Sequence, residues 1–241
     1  MRPILDLARE KLKGKRVFAV LSGKGGVGKS IVAAFWAMAL PKSALIDLDL
    51  FNMSTVKLFG VEKLHEVDKE GIKPFEVDGV KFFSLGGIVG DRWVVLPGAN
   101  EGNVAEALLA FADLTGVENV VVDMPPGTGE VLLTLVRVTP FTPIVVTTPS
   151  RAAVSVVRQL MDYLQEQSII PEVLVINMAY LMCKGEKIHP FGWPKELEDL
   201  KSRVKRVLEL PLDPSLEDYV GVLAKYKGEV FQAVKKFVEY V

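Results

Sequence analysis

A chain of 241 residues with 49% hydrophobic and 24% charged side chains has the make-up of a globular protein with a large core, and no apolar run approaches the ~18 residues a membrane span requires. Its 29 basic residues are balanced by 30 acidic ones, which excludes a net field strong enough to hold nucleic acid or an anionic membrane by charge alone. The single cysteine, Cys183, excludes an intrachain disulfide and any zinc or cluster site built from several cysteines of one chain.

The opening segment places Ile4, Leu5, Ala8 and Leu12 at helix spacing, not in the unbroken apolar core of a secretion signal, so a soluble, cytoplasmic protein is expected. Residues 17–22 (VFAVLS) read as a buried parallel strand and residues 29–40 as the helix that follows it. The alternation continues with a strand at 43–49, a helix at 104–114, a strand at 119–124, a helix at 130–138, a strand at 143–148, a helix at 152–167 and a strand at 172–177. Residues 81–84 and 93–96 carry weaker strand signals, and 207–213 add a late strand. The terminal helix puts Val230, Phe231, Val234, Phe237, Val238 and Val241 on one face, which suits packing on the sheet better than lying on a membrane. Parallel strands that each need a crossover helix predict an α/β fold, a doubly wound, mostly parallel β-sheet flanked by helices on both faces, as one domain over 1–241.

Gly23-Lys24-Gly25-Gly26-Val27-Gly28-Lys29-Ser30 fits G-x-x-x-x-G-K-S/T between the first strand and the helix after it. The backbone N–H groups of Gly25, Gly26, Val27 and Gly28 are expected to wrap phosphates, with Ile31 in the helix turn whose N-terminus faces their charge. Lys29 should reach the β and γ phosphates, and the Ser30 hydroxyl should ligate Mg2+, because ammonium and metal together neutralise the transferred phosphoryl group. Asp123 ends the apolar run VVVD at a strand's C-terminal edge, where its carboxylate is placed for the Mg2+ shell. The segment PPGTG after it is stiff and then permissive, and reads as a switch loop in which the Gly127 amide senses the γ-phosphate. Asp47 and Asp49 share a face while their strand stays extended, so Asp47 is expected on the metal and Asp49 on the attacking water.

Lys24 inside the loop is the extra lysine of the deviant Walker A ATPases, and GKGGVGKS together with DMPPGTGE resembles the Mrp branch of the Mrp/MinD family. The likeness continues through IDLDLFNMSTVKLFG, VINM and ELPLDPSLEDY, so it covers most of the chain. The resemblance implies an ATP hydrolase that uses ATP, ADP and Mg2+ and closes into a face-to-face homodimer on ATP, with Lys24 crossing to the partner's phosphates. It also implies that Asn177 reads adenine and that Pro211, Leu212 and Asp213 line the base. The N-K-x-D pattern of guanine-specific proteins is absent, so ATP is expected over GTP.

Iron–sulfur carriers of the Mrp type bear a C-x-x-C pair soon after the N-M dipeptide. Here the stretch reads NMAYLMCKGEKIHPFG, with Cys183 at the first position and Glu186 at the second, so a dimer offers two thiolates where a 4Fe–4S cluster takes four. His189 and Cys183 are an alternative transition-metal set across a two-fold axis. A Mrp-type switch motif without its cysteine pair resembles the archaeal ATPase form of HypB. That resemblance implies nickel delivery during nickel–iron hydrogenase maturation, with a small zinc-containing, HypA-like metallochaperone as partner. An iron–sulfur cluster carrier and a MinD/ParA-like positioning ATPase are the alternatives.

Overall fold

The structure, a computed structural model, describes residues 3–50, 54–89 and 101–241, so the strand expected at 93–96 lies outside the described residues. Helix α1 (Ile4–Leu12) buries Ala8 and Leu12 and leads into β1 (Arg16–Ser22), which is buried at every position after the first. Helix α2 (Lys29–Ala39), β2 (Ser43–Asp47) and the short α3 (Ser54–Phe59) follow. A two-stranded ribbon, β3 (Val67–Asp68) with β4 (Gly71–Ile72), precedes β5 (Phe75–Val77), β6 (Val80–Ser84) and α4 (Gly86–Val89). The second half runs α5 (Glu101–Phe111), β7 (Asn119–Asp123), α6 (Glu130–Val138), β8 (Thr142–Thr147) and α7 (Arg151–Glu166). It closes with β9 (Val173–Cys183), β10 (Glu186–Ile188), α8 (Glu196–Ser202), β11 (Arg206–Pro211) and α9 (Glu229–Val238).

Among the described residues, nine strands make one sheet whose central order is β11-β9-β8-β1-β7-β2-β6-β5. The pairings from β11 through β6 are parallel, and β5 and β10 attach antiparallel, to β6 and β9. The expected doubly wound sheet is therefore present. Strands flanked by helices on both faces have no solvent side, which is why they read as unbroken apolar runs and not as alternating ones. Helices α2, α3 and α9 cover one face and α1, α5, α6, α7 and α8 the other, each over its own buried cluster. The terminal helix buries Val230, Phe231, Val234 and Val238 against α2, where Phe231 meets Phe35 at 5.4 Å and Phe237 meets Trp36 at 6.1 Å between ring centres. Burying each such side chain stabilises the fold by about 1.5–3 kcal/mol. Among the described residues no helix is long and apolar enough to cross a membrane.

The helix expected at 104–114 spans Glu101–Phe111 and the strand expected at 207–213 spans Arg206–Pro211, and two further differences from the sequence expectation lie beside the phosphate loop. Strand β2 ends at Asp47 and not at 49, because the Asp47 carboxylate accepts the Asp49 N–H at 2.9 Å and so turns the chain out of the ladder. Strand β9 runs on to Cys183 and does not stop at 177. Its register against β11 shifts between Ile176, which faces Glu209, and Tyr180, which faces Pro211, and Met178 takes φ +55° in the bulge.

Candidate functional site

The loop 23–30 leaves β1 at the C-terminal rim of the sheet, where β8 lies on one side of β1 and β7 on the other. Helices and loops diverge at such a point in the strand order, and the crevice between them is where open α/β sheets bind ligands. Gly28 caps α2 with φ +84°, a left-handed conformation that glycine adopts without a Cβ penalty. A Cβ there would lie 2.2 Å from Nδ2 of Asn177 and would displace that amide. That amide donates to the Val27 carbonyl at 2.9 Å, so the bulge in β9 delivers Asn177 as a clamp on the phosphate loop. Gly25 and Gly26 are exposed, Val27 is buried, Ile31 is partly buried and Lys24 stands half-buried at the loop's start.

Lys29 is buried and forms an ion pair with Oδ1 of Asp123, which the pairing of β1 with β7 brings beneath the loop. Asp47 is the register partner of Asp123 on β2, so the two carboxylates stand side by side. Burial raises the Asp47 carboxyl to about 7, the Asp123 charge adds to the effect, and hydrogen bonds from Thr55 and the Asp49 amide oppose it. Burial also raises Asp123, against the pull of Lys29. The Ser30 hydroxyl bonds the Asp123 carboxylate, while Oδ2 of Asp123 is buried with no hydrogen-bond partner among the described residues. Two buried carboxylates, one hydroxyl and one lysine leave a surplus of negative charge and an orphaned oxygen. That donor set suits Mg2+, which takes one or two carboxylates and completes its shell with phosphates and water.

The remaining predicted residues fall in three places. Asp49 is buried beside Asp47, held by the turn just described and not by an extended strand. The Gly127 N–H, expected to face a γ-phosphate, donates to the Ser22 carbonyl at 2.8 Å and closes the PPGTG segment onto the end of β1. Pro211 and Leu212 follow β11 past Tyr180, whose carbonyl accepts the Leu212 N–H at 2.7 Å. The Asp213 carboxylate is committed to the fold, accepting from the Ser215 hydroxyl at 2.7 Å and the Tyr226 hydroxyl at 2.6 Å. Burial acts against its charge, but these bonds outweigh it and hold the carboxyl below its usual range.

Cys183 is exposed at the tip of the β9–β10 hairpin, opposite Glu186. His189 follows Ile188, the partner of Leu181, so within one chain the thiol and the imidazole are about 10 Å apart along the ribbon. The two are not brought together in one chain. The His189 ring lies edge-on to Trp193, and its Nδ1 donates to the Ala179 carbonyl at 2.8 Å. Among the described residues no three His, Cys, Asp or Glu side chains converge as a cage for a metal ion.

Sequence reasoning missed Thr55. Its hydroxyl donates to Oδ2 of Asp47 from the first turn of α3, and it is fully buried. A hydroxyl eight residues after Asp47, in the first turn of a short helix, was the available signal.

A parallel doubly wound sheet with this loop at the end of its central strand defines a P-loop NTPase. The chain belongs to the ParA family described as NUBPL iron-transfer P-loop NTPase, whose profile matches residues 13–238. The iron-sulfur cluster carrier protein of Aquifex aeolicus is 33% identical over 223 residues, covering 87% of this chain and 61% of that protein. The chloroplastic Fe-S cluster assembly factor HCF101 of Oryza sativa subsp. japonica is 31% identical over 213 residues, 85% of this chain and 40% of the factor. The chain thus spans about three fifths and two fifths of these curated relatives. Among solved structures, a nucleotide-binding protein of Archaeoglobus fulgidus in complex with ADP superposes with a TM-score of 0.79 at 27% identity, covering 95% of this chain and 96% of that one.

Proposed function

We propose that this chain is a magnesium-dependent ATP hydrolase whose nucleotide state governs homodimerisation and partner binding in metallocentre assembly, with an iron–sulfur cluster as its cargo. The observation that carries the reading is the buried set of Lys29, Asp123 and Asp47 beneath the glycine loop, a charge arrangement with no use in a purely structural turn. The ADP held by the Archaeoglobus fulgidus protein supports the nucleotide, and the names of the Aquifex and rice relatives support the cargo.

In this reading the loop N–H groups of 25–30 bind the phosphates, and Lys29 turns from Asp123 to the β and γ oxygens as nucleotide enters. Ser30, Asp47 and Asp123 would hold the Mg2+, which supplies charge neutralisation and orientation at the phosphates. Asp49 orients the attacking water, and Gly127 passes from the Ser22 carbonyl to the γ-phosphate. Lys24 reaches a second copy of the chain, so that hydrolysis is coupled to assembly. Asn177 reads adenine while clamping Val27, and Pro211 and Leu212 line the base. The fixed Asp213 shapes that lining through Ser215 and Tyr226 without offering its carboxylate.

One observation favours a second reading. Cys183 faces Glu186 where a carrier's second cysteine belongs, so a dimer presents two thiolates, with His189 as the nearest supplementary ligand type. A nickel-delivery ATPase working with a small zinc-containing, HypA-like chaperone needs few ligands of its own. Anaerobic reconstitution with iron and sulfide decides between them. Stable visible absorbance that Cys183→Ser abolishes supports the cluster; no bound iron, together with ATP-dependent capture of a zinc-binding partner, supports nickel delivery.

A further inference from the structure

Asp47 is gripped at both oxygens by its own chain. Oδ1 accepts the Asp49 N–H at 2.9 Å, and Oδ2 accepts the hydroxyl of Thr55, fully buried in the first turn of α3. The far end of the same short helix is fastened just as tightly. The Gly221 N–H donates to the Leu58 carbonyl at 3.0 Å, and Gly60, at φ +65°, lies against the Gly221 carbonyl so closely that a Cβ would come within 2.1 Å of it. Gly221 stands just beyond the 3-10 turn Pro214–Tyr219, which Asp213 caps. Helix α3 is therefore a one-and-a-half-turn strut between the buried carboxylate pair and the segment that follows 211–213.

We propose that Thr55 is the positioning residue for magnesium: its hydroxyl fixes the Asp47 carboxylate in its metal-facing orientation and makes α3 report that carboxylate's engagement to the 211–222 segment. The proposal rests on the magnesium–nucleotide reading above. The chemistry is specific to a hydroxyl. A carboxylate oxygen has lone pairs enough to accept one hydrogen bond and still face a cation, whereas an apolar side chain at 55 would leave Oδ2 unsupported in a dry site. A hydrogen bond to an ionised acceptor is also directional, so movement of either partner is felt by the other. The backbone contact at Gly60 and Gly221 has no slack, and a shift of α3 reaches the far segment without passing through the phosphate loop.

The test compares Thr55→Val, which keeps the shape and removes the hydroxyl, with Thr55→Ser, which keeps the hydroxyl. ADP binding is measured by calorimetry with and without Mg2+, and amide hydrogen exchange is followed in the same two states. Thr55→Val is expected to lose roughly tenfold of the Mg2+ enhancement of ADP affinity, the size of one charge-assisted hydrogen bond, while its metal-free ADP affinity stays within about twofold. Thr55→Ser is expected to restore most of the enhancement. In the wild type Mg2+ should add protection at 214–222 beyond that of ADP alone, and Thr55→Val should lose it. Should valine prevent folding, Thr55→Ala carries the same expectation. Wild-type enhancement in Thr55→Val or Thr55→Ala overturns the proposal, as does equal loss in the serine variant or parallel loss of metal-free binding. A wild-type protein whose ADP binding ignores Mg2+ overturns instead the reading on which the proposal rests.

Discussion

Replacing Gly28 by alanine tests the clamp between β9 and the phosphate loop. The residue sits at φ +84°, and a Cβ there would lie 2.2 Å from Asn177 Nδ2. The left-handed backbone alone costs an alanine about 1–2 kcal/mol. Pushing the Asn177 amide off the Val27 carbonyl costs about 0.5–1.5 kcal/mol more, for a total of roughly 2–3 kcal/mol. Asn177→Ala by itself should cost about 1 kcal/mol, since it removes the same hydrogen bond without the strain. In Gly28→Ala/Asn177→Ala the lost bond is counted once, so the double variant should be about 1 kcal/mol more stable than the sum of the single effects predicts. Urea denaturation of the four nucleotide-free proteins at one pH measures this, provided the m-values agree. Additivity to within about 0.3 kcal/mol would refute the steric coupling between Gly28 and Asn177.

Lys29→Met should abolish nucleotide binding and leave Asp123 and Asp47 buried without their cation, at a cost of about 3–5 kcal/mol at pH 8. The cost should shrink toward pH 5, where a carboxyl takes up a proton, and thermal melts across pH that show a constant loss would contradict this. Because burial lifts Asp47 from 3.8 to about 7, the folded chain keeps a proton that the unfolded chain has already released. Stability of the nucleotide-free protein is therefore greatest below 3.8 on this account and falls as pH rises toward about 7. Asp47→Asn should flatten that slope, and an unchanged slope would assign it to other groups. Lys24→Ala should leave ADP affinity within about twofold yet lower steady-state turnover roughly tenfold or more, as for other cations supplied to phosphoryl transfer. Normal turnover would remove Lys24 from the mechanism.

The fold was legible because burial on both faces writes itself into the sequence as runs such as VFAVLS and NVVVD, which leave little choice but a parallel sheet. The loop was legible because its glycines and Lys29 answer to local backbone geometry. Features that depend on chain segments meeting in space were not. Thr55 reaches Asp47 only after α3 folds back, the Asp49 turn competes with strand extension through a side chain, and the bulge that aims Asn177 needs the register of β9 against β11. Gly60 likewise reads as an ordinary helix terminator until Gly221 is seen pressed against it. The sequence resemblance reached past the cysteine pair to a nickel protein, whereas the similar proteins found are iron–sulfur carriers, and the departure at Glu186 decides how far their work carries over.

Strand β9 outruns β8 at Ile176, the partner of β8's last residue, and continues seven residues further to Cys183, with β11 still beside it at Tyr180. At ~3.3 Å per residue that overhang is roughly 20 Å long. Such a span is too great for a phosphate oxygen and a thiol to share a ligand or a proton. Within one chain, coupling between the nucleotide crevice and the hairpin tip would have to act through the strand that joins them. The bulge at Met178, fastened through Asn177 to the phosphate loop, is the pivot from which a small rotation would be magnified along that arm.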